Sequence, residues 1–326
     1  MSSYNSQVLR SGAYAYSVNY PSAFSSADAA VNMALVAKLA GLFVKCSDGT
    51  STSYTATPPA NWMANLESIT PAAQSAGLDV IPWAVVYPDD SSPTNAQAIS
   101  NIAHAVDVTG ASAVLLEPYM SEFNSSPTSA GPLLVAIQNA VPNTKLLYCT
   151  WGDPKVLPTF PYDTFNRICA ATLPELYYTS YVVEYKNAAG IWNQYWDWIL
   201  NNPAFNGIPV IPTFDTNAVG SFISLAKNEG APTISWWFLE APLMPAIASV
   251  LAASPYAVVV SPKAVSEGDT EASTPATSTP TTAALSMSTA TTTTTTVTST
   301  SATSTVVSAE TIAEVKSLLQ KAVDLL

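Results

Sequence analysis

Apolar runs alternate with stretches of helical periodicity along roughly the first 255 residues of the chain. The runs predict eight strands, at residues 13–20, 41–47, 78–87, 111–118, 144–151, 174–183, 208–214 and 231–239. Alternation of this kind is typical of parallel βαβ units, and eight such units close a barrel. We therefore predict an α/β fold, a (β/α)8 TIM barrel over residues 1–263. The alternative, a doubly wound open sheet, is disfavoured because no G-x-G-x-x-G follows the first strand.

The pattern changes after the predicted barrel. Residues 264–307 are almost wholly Ser, Thr, Ala and Pro, a composition that predicts an extended linker or stalk. Residues 308–326 predict a C-terminal amphipathic helix with a heptad seam formed by Ile312, Val315, Leu319, Ala322 and Leu326. So short a helix needs a partner, and we expect self-association or docking on a particle protein. Packing of the helix on its own barrel is the alternative.

Composition excludes several classes of function. The net charge is −12 with only two arginines, which disfavours nucleic acid as a partner. No apolar stretch is long enough for a membrane span, and the N-terminus lacks the pattern of a signal peptide. Cys46, Cys149 and Cys169 are expected to be buried free thiols, and a single histidine, His104, argues against a multi-histidine metal site or a histidine triad. We expect no cofactor.

Acidic and aromatic residues concentrate where the predicted strands end. The acids are Asp48, Asp89, Asp90, Glu117, Glu122, Asp153, Glu184, Asp215 and Glu240. The aromatic residues are Tyr20, Trp83, Tyr87, Tyr119, Tyr148, Trp151, Tyr181, Tyr185, Trp236 and Trp237. In a TIM barrel these positions form the functional face, and carboxylates among flat rings are typical of a sugar-binding cleft. The alternative is structural, since acids also cap helices and tryptophan also fills barrel layers.

The segment from Phe43 to Thr50, with the sequence FVKCSDGT, resembles the FVKATEGT segment of family 25 glycoside hydrolases, the lysozyme-like muramidases. The similarity extends loosely over about 240 residues and implies a glycan-acting barrel. Members of that family carry an Asp on the first strand and an Asp-x-Glu pair on the fourth. This chain has Ala15, Tyr16 and Ser17 on the first strand and Leu115-Leu116-Glu117 on the fourth, so only the Glu of the pair is present.

Glu117 is the candidate general acid, and its apolar neighbours Leu115, Leu116 and Pro118 favour a raised pKa. Asp215 and Glu184 are the candidate second carboxylates. The predicted substrate-binding residues are Asp48, Trp83, Tyr87, Tyr148, Trp151, Tyr181, Trp237 and Glu240. Alternatively, Glu117 is a lone buried carboxyl group that hydrogen-bonds to Tyr148 and serves stability only.

These patterns favour a surface-displayed structural protein of a phage virion or similar extracellular particle. Its barrel would bind host glycans, and its tail would anchor it. The main alternative is an active glycoside hydrolase that cleaves peptidoglycan or a surface polysaccharide. A glycan-binding adhesin without hydrolysis is a third possibility. An isomerase or aldolase is disfavoured, because no phosphate-binding glycines follow the last two strands and Lys45 is the one strand-end lysine that could form a Schiff base.

Overall fold

The structure is a computed structural model that describes residues 8–55, 60–88, 92–201, 208–215, 217–241 and 244–259. The strands are β1 (Gly12–Ser17), β2 (Gly41–Asp48), β3 (Ser53–Tyr54), β4 (Ala60–Asn61), β5 (Asp79–Val86), β6 (Ala113–Pro118), β7 (Lys145–Trp151), β8 (Ala171–Glu175), β9 (Thr213–Asp215) and β10 (Thr233–Trp237). The helices are α1 (Ala27–Val36), α2 (Trp62–Ser75), α3 (Ser92–Thr109), α4 (Met120–Ser125), α5 (Ala130–Ala140), α6 (Tyr162–Ile168), α7 (Tyr178–Tyr185), α8 (Ala188–Asn201), α9 (Val219–Asn228) and α10 (Met244–Ala252).

Eight strands form a closed parallel barrel in the order β1-β2-β5-β6-β7-β8-β9-β10, and β10 pairs again with β1. The two short strands β3 and β4 form an antiparallel hairpin after β2. Closure leaves no open sheet edge, and the predicted TIM barrel is confirmed. The helices α1 and α2 begin where the side chains of Ser26 and Asn61 accept hydrogen bonds from backbone N–H groups.

Two apolar layers arise because successive side chains of a strand point to opposite faces. The barrel interior holds Tyr14, Tyr16, Phe43, Ile81, Trp83, Leu115, Leu147, Cys149 and Leu173. The intervening residues, such as Val44, Leu116 and Tyr148, pack outward against the helices. At the carboxyl ends of the strands, this alternation decides which side chains point toward the barrel axis and which point toward the helices. The three cysteines are buried free thiols, as predicted.

The amino ends of the strands are closed by polar contacts and by the chain after α10. Arg10 Nε lies 3.4 Å from Asp79 Oδ2, which also accepts a hydrogen bond of 2.6 Å from Tyr14 Oη. The backbone N–H of Val258 donates to Lys38 O at 2.9 Å. These contacts hold the amino end of the barrel together, whereas the functional residues of TIM barrels lie at the carboxyl end.

The sixth predicted strand, residues 174–183, is wrong. The strand is β8, at Ala171–Glu175, and the aromatic run after it forms the helix α7. Asp215 holds the first turn of this helix, because its carboxylate accepts hydrogen bonds from both the N–H and the hydroxyl of Thr179. This tertiary contact outweighs the strand propensity of the Tyr- and Val-rich sequence. The seventh strand, predicted at residues 208–214, is the shorter β9. Before it, Val210 forms an isolated β-bridge with Thr172.

The predicted linker at 264–307 and the predicted helix at 308–326 lie outside the described residues. Among the helices that the structure describes, none combines the length and the apolar character needed to cross a bilayer.

Candidate active site at the mouth of the barrel

The carboxyl ends of the barrel strands share one face of the barrel, called the mouth below. The strand β2, on one side of the mouth, contains a β-bulge. Lys45 pairs in register with Trp83, but Ser47 pairs with Ala84, so one extra residue lies between them. The bulge turns both Lys45 and Asp48 toward the mouth, where Lys45 Nζ lies 2.9 Å from Asp48 Oδ2. The ammonium group of Lys45 also lies 4.3 Å and 4.8 Å from the ring centroids of Trp62 and Trp83. Lys45 is thus a fixed, largely buried cation.

Glu117 ends the inward-facing row of β6, above the apolar side chain of Leu115. Burial raises the pKa of Glu117 to about 7. The Lys45 ammonium lowers this pKa, and the Asp48 carboxylate raises it. The raised pKa that the sequence predicts for Glu117 is confirmed, and it gives a carboxyl group that can carry a proton at neutral pH.

Glu175, at the end of β8, is the acid that the sequence analysis missed. Burial raises the pKa of Glu175 to about 8, and the charge of Glu117 raises it further, against the hydrogen bond with Tyr177 that lowers it. The two carboxyl groups are therefore within electrostatic reach of each other. Gly152 packs closely against the backbone of Glu175. A Cβ atom at position 152 would lie 2.3 Å from the backbone oxygen of Glu175, so a larger residue would displace the end of β8.

Aromatic rings form the floor around the pair. Trp237, at the end of β10, contacts the rings of Tyr16, Trp83 and Tyr177 at centroid distances of 5.4, 6.2 and 6.4 Å. Below them, Tyr16 Oη lies 3.2 Å from Cys149 Sγ. Trp237 is partly exposed, so its ring can meet a ligand in the mouth. Trp83 was a predicted substrate-binding residue, but it is only 2% exposed and fills the barrel interior.

Tyr148 was also predicted to bind substrate and, alternatively, to hold Glu117. The structure gives it a packing position instead: it points outward from β7, is fully buried, and its hydroxyl donates to Asn166 Oδ1 at 2.5 Å. The reason is the two-residue period of a strand, which turns Tyr148 away from the mouth while Cys149 faces inward.

The two predicted second carboxylates have other surroundings: one is held by Thr179, and the other is exposed on a helix. Asp215 is buried and accepts hydrogen bonds from Thr179 and from the N–H of Asn217, so it fixes the start of α7. Glu184 lies on the exposed face of α7, because the chain is helical there. The roles of Glu117, Asp215 and Glu184 stay predictions. Glu175 was not among the predicted site residues, because the sequence analysis put it near the start of the strand predicted at residues 174–183.

Two further acids of the mouth have structural partners. Ser17 Oγ donates to Glu240 Oε1 at 2.6 Å, and burial raises the pKa of Glu240 while this bond lowers it. Asp153 accepts hydrogen bonds from Tyr185 Oη at 2.7 Å and Gln194 Nε2 at 2.9 Å, which ties α7 and α8 to the end of β7. Asp89 and Asp90 lie outside the described residues.

The rim of the mouth carries partly exposed rings. Trp151, which pairs in register with Glu175, is 36% exposed. Tyr181 lies beside Gly152, and a Cβ atom on that glycine would be 3.0 Å from its ring. Tyr87 donates to Asp48 Oδ1 at 2.7 Å and stacks on Tyr119 with centroids 5.0 Å apart. The predicted positions Asp48, Tyr87, Trp151, Tyr181 and Trp237 thus all lie at the mouth.

Chemically, the mouth offers a proton donor, a neighbouring acid and rings. Within the described residues, no group of three or more His, Cys, Asp or Glu side chains is arranged to hold a metal ion. A protonated carboxyl group beside a second carboxyl group can donate a proton to a leaving oxygen and accept one from water.

No family model matches the chain, and no curated protein matches it. Among solved structures, the barrel is similar to the spore cortex-lytic enzyme SleL of Bacillus cereus, with a TM-score of 0.52, 10% identity, and coverage of 78% of this chain and 76% of that chain. It is also similar to a chitinase-like agglutinin from Robinia pseudoacacia, with a TM-score of 0.51, 10% identity, and coverage of 73% and 98%. A third match is active domain 2 of a Pyrococcus furiosus chitinase complexed with chito-oligosaccharides, with a TM-score of 0.50, 13% identity, and coverage of 71% and 84%.

At these identities the likeness shows the fold alone. The chain shares the (β/α)8 barrel fold of these structures. The resemblance to family 25 in particular is not confirmed, because these structures are described as a cortex-lytic enzyme, a chitinase and a chitinase-like agglutinin.

Proposed function

We propose that the mouth of this barrel binds a glycan and hydrolyses a glycosidic bond in it, with Glu117 as the general acid. The observation that carries the proposal is the pair of largely buried carboxyl groups, Glu117 and Glu175, on a floor of aromatic rings. Burying two acids side by side is unfavourable for folding, and perturbed acids of this kind cluster at functional sites.

In the reaction, the active form is the singly protonated pair with its proton on Glu117. This is the less populated of the two singly protonated states, because the pKa of Glu175, about 8, is above that of Glu117, about 7. Glu117 donates its proton to the glycosidic oxygen as the bond from that oxygen to the anomeric carbon breaks. The oxygen of a water molecule bonds to the anomeric carbon, and the proton that this water loses passes to the Glu175 carboxylate. The proton count of the pair is unchanged, so transfer back to Glu117 restores the starting state. Trp237 and Trp151 are placed to contact the apolar faces of the sugar rings.

Binding and cleavage are tested together on the full chain. We expect wild-type protein to bind neutral oligosaccharides, measured by calorimetry, and to release reducing ends from them. Trp151→Ala is expected to weaken binding about tenfold, because the ring is exposed beside Glu175. Val135→Ala, at an exposed position on α5, is the control and should bind as wild type does.

Binding without release of reducing ends would leave a glycan-binding protein and overturn the hydrolase. Absence of binding to any glycan tested would overturn both parts of the proposal.

A second proposal concerns where the barrel acts. The Ser/Thr-rich composition of residues 264–307 and the heptad seam of 308–326 support display on a phage virion or similar extracellular particle, with the tail as anchor. In this role the protein is a structural component whose barrel faces host glycans.

We expect the full chain to self-associate or to bind a particle protein through this seam. Leu319→Asp places a charge in the seam and should abolish association, measured as molar mass by light scattering. Ser317→Asp adds the same charge at an outward heptad position and should associate as wild type does. A wild-type chain that stays monomeric and binds no particle component would contradict the anchoring role.

A further inference from the structure

A cavity lies at the rim of the mouth, beside the ends of β2 and β5. This side pocket has a volume of about 440 Å³, and its lining includes Asp48, Thr50, Tyr87, Pro88, Asn95 and Glu122. The volume falls in the range of small-molecule sites in proteins. Asp48 lines this pocket, and its carboxylate raises the pKa of Glu117. Asp48 is therefore common to the pocket and to the surroundings of the proposed acid.

One ring of a stacked pair lines the pocket. Tyr87 lines it, and Tyr119 stacks on Tyr87 at an interplanar angle of 25°. Tyr119 follows Glu117 by two residues, and its side chain is 47% exposed, which is unusual for so large a ring at the end of a barrel strand. An exposed ring whose position is fixed by stacking is a platform for the apolar face of a pyranose.

The charge of the pocket restricts what it can take. Its lining includes the carboxylates of Asp48 and Glu122 and, among the described residues, no lysine or arginine. The nearby cation Lys45 is already held by Asp48 and by the rings of Trp62 and Trp83. A sugar carboxylate in this pocket would meet like charge without a partner, whereas hydroxyl and amino groups would find acceptors.

We infer that this side pocket is a second sugar subsite, and that it accepts uncharged or amino-bearing pyranoses and rejects anionic ones. The inference rests on the proposed glycan site and names the class of glycan for it: neutral or amino sugar polymers rather than uronic acid polymers. Tyr119 is the ring that binds the sugar face, and Glu122 sets the charge preference.

The ring is tested with the full chain and N-acetylglucosamine oligomers of two lengths. Tyr119→Ala should weaken binding of the hexamer about tenfold and leave binding of the disaccharide unchanged, because the shorter ligand fills only the floor. Tyr119→Phe keeps the ring and should bind both as wild type does. Equal hexamer affinity in wild type and Tyr119→Ala would overturn the subsite.

The charge preference is tested with three hexamers: N-acetylglucosamine, glucosamine and galacturonate. Wild type should bind the first two and not the third. Glu122→Lys, a change at an exposed residue, should weaken glucosamine binding roughly tenfold and allow galacturonate to bind. Galacturonate binding to wild type with the affinity of the neutral hexamer would overturn the charge class, while the glycan site itself would stand. Absence of binding to all three would overturn the proposed function together with the subsite.

Discussion

Replacement of Glu117 by glutamine is expected to lower the rate of glycosidic hydrolysis by about 10²–10⁴-fold while sugar affinity changes little. Glutamine keeps the shape of the side chain and its hydrogen-bonding capacity but carries no transferable proton at this position. Glu117 can hold a proton near neutral pH because burial raises its pKa to about 7. The measurement is kcat and KM for release of reducing ends, with the loss expected in kcat.

The same assignment predicts the pH profile of the wild-type enzyme. Burial raises the pKa of Glu117 to about 7 and that of Glu175 to about 8. Below about pH 7 both groups hold protons and no carboxylate accepts the proton from water. Above about pH 8 both groups are ionised and no proton is available for the leaving oxygen. We therefore expect kcat/KM to be bell-shaped with its maximum between these values.

Two variants compare Glu175 with Glu184, one of the two second carboxylates that the sequence analysis predicted. Glu184→Gln changes an exposed carboxylate on α7 and should leave hydrolysis at the wild-type rate. Glu175→Gln should remove the acceptor and lower kcat as strongly as Glu117→Gln does. If Glu184→Gln were the inactive variant and Glu117→Gln the active one, the assignment of the acid would be wrong.

The barrel was predictable because its signal is repeated eight times. Each strand carries a run of apolar residues, and an error in one strand leaves the count and the architecture unchanged. Glu117 was predictable for a related reason: it stands where a long apolar strand ends, and the strand ends share one face of the barrel.

Its partner could not be predicted because it depends on one strand boundary. The run from Tyr177 to Tyr185 has strand-like composition, and assigning it to a strand moved the predicted end of that strand eight residues past Glu175. The contact that makes the run helical joins Thr179 to Asp215, which is distant in sequence. The inward position of Asp48 likewise depends on a bulge at Cys46, and the outward position of Tyr148 on strand register. Such details come from tertiary contacts rather than from local pattern.

The pair should also control how stability depends on pH. The folded-state pKa of Glu175, about 8, lies above the value near 4.5 of an exposed glutamate. Between these values the folded chain holds a proton that the unfolded chain releases, so the free energy of unfolding falls as pH rises from about 4.5 to about 8. The stabilisation is fully present below about pH 4.5 and lost above about pH 8. By linkage the loss is on the order of 3 to 5 kcal/mol.

Glu175→Gln removes this ionisation, and we expect it to be more stable than wild type at pH 9 by about 3 kcal/mol and equal to it at pH 4. Urea unfolding at a series of pH values measures the difference, with Glu229→Gln as a control at an exposed residue beyond α9. Parallel curves for wild type and Glu175→Gln would show that Glu175 is not held neutral in the fold. A more stable but inactive Glu175→Gln would mean that the chain retains an acid that weakens its own fold at high pH. Selection for the reaction accounts for such a residue, and selection for packing does not.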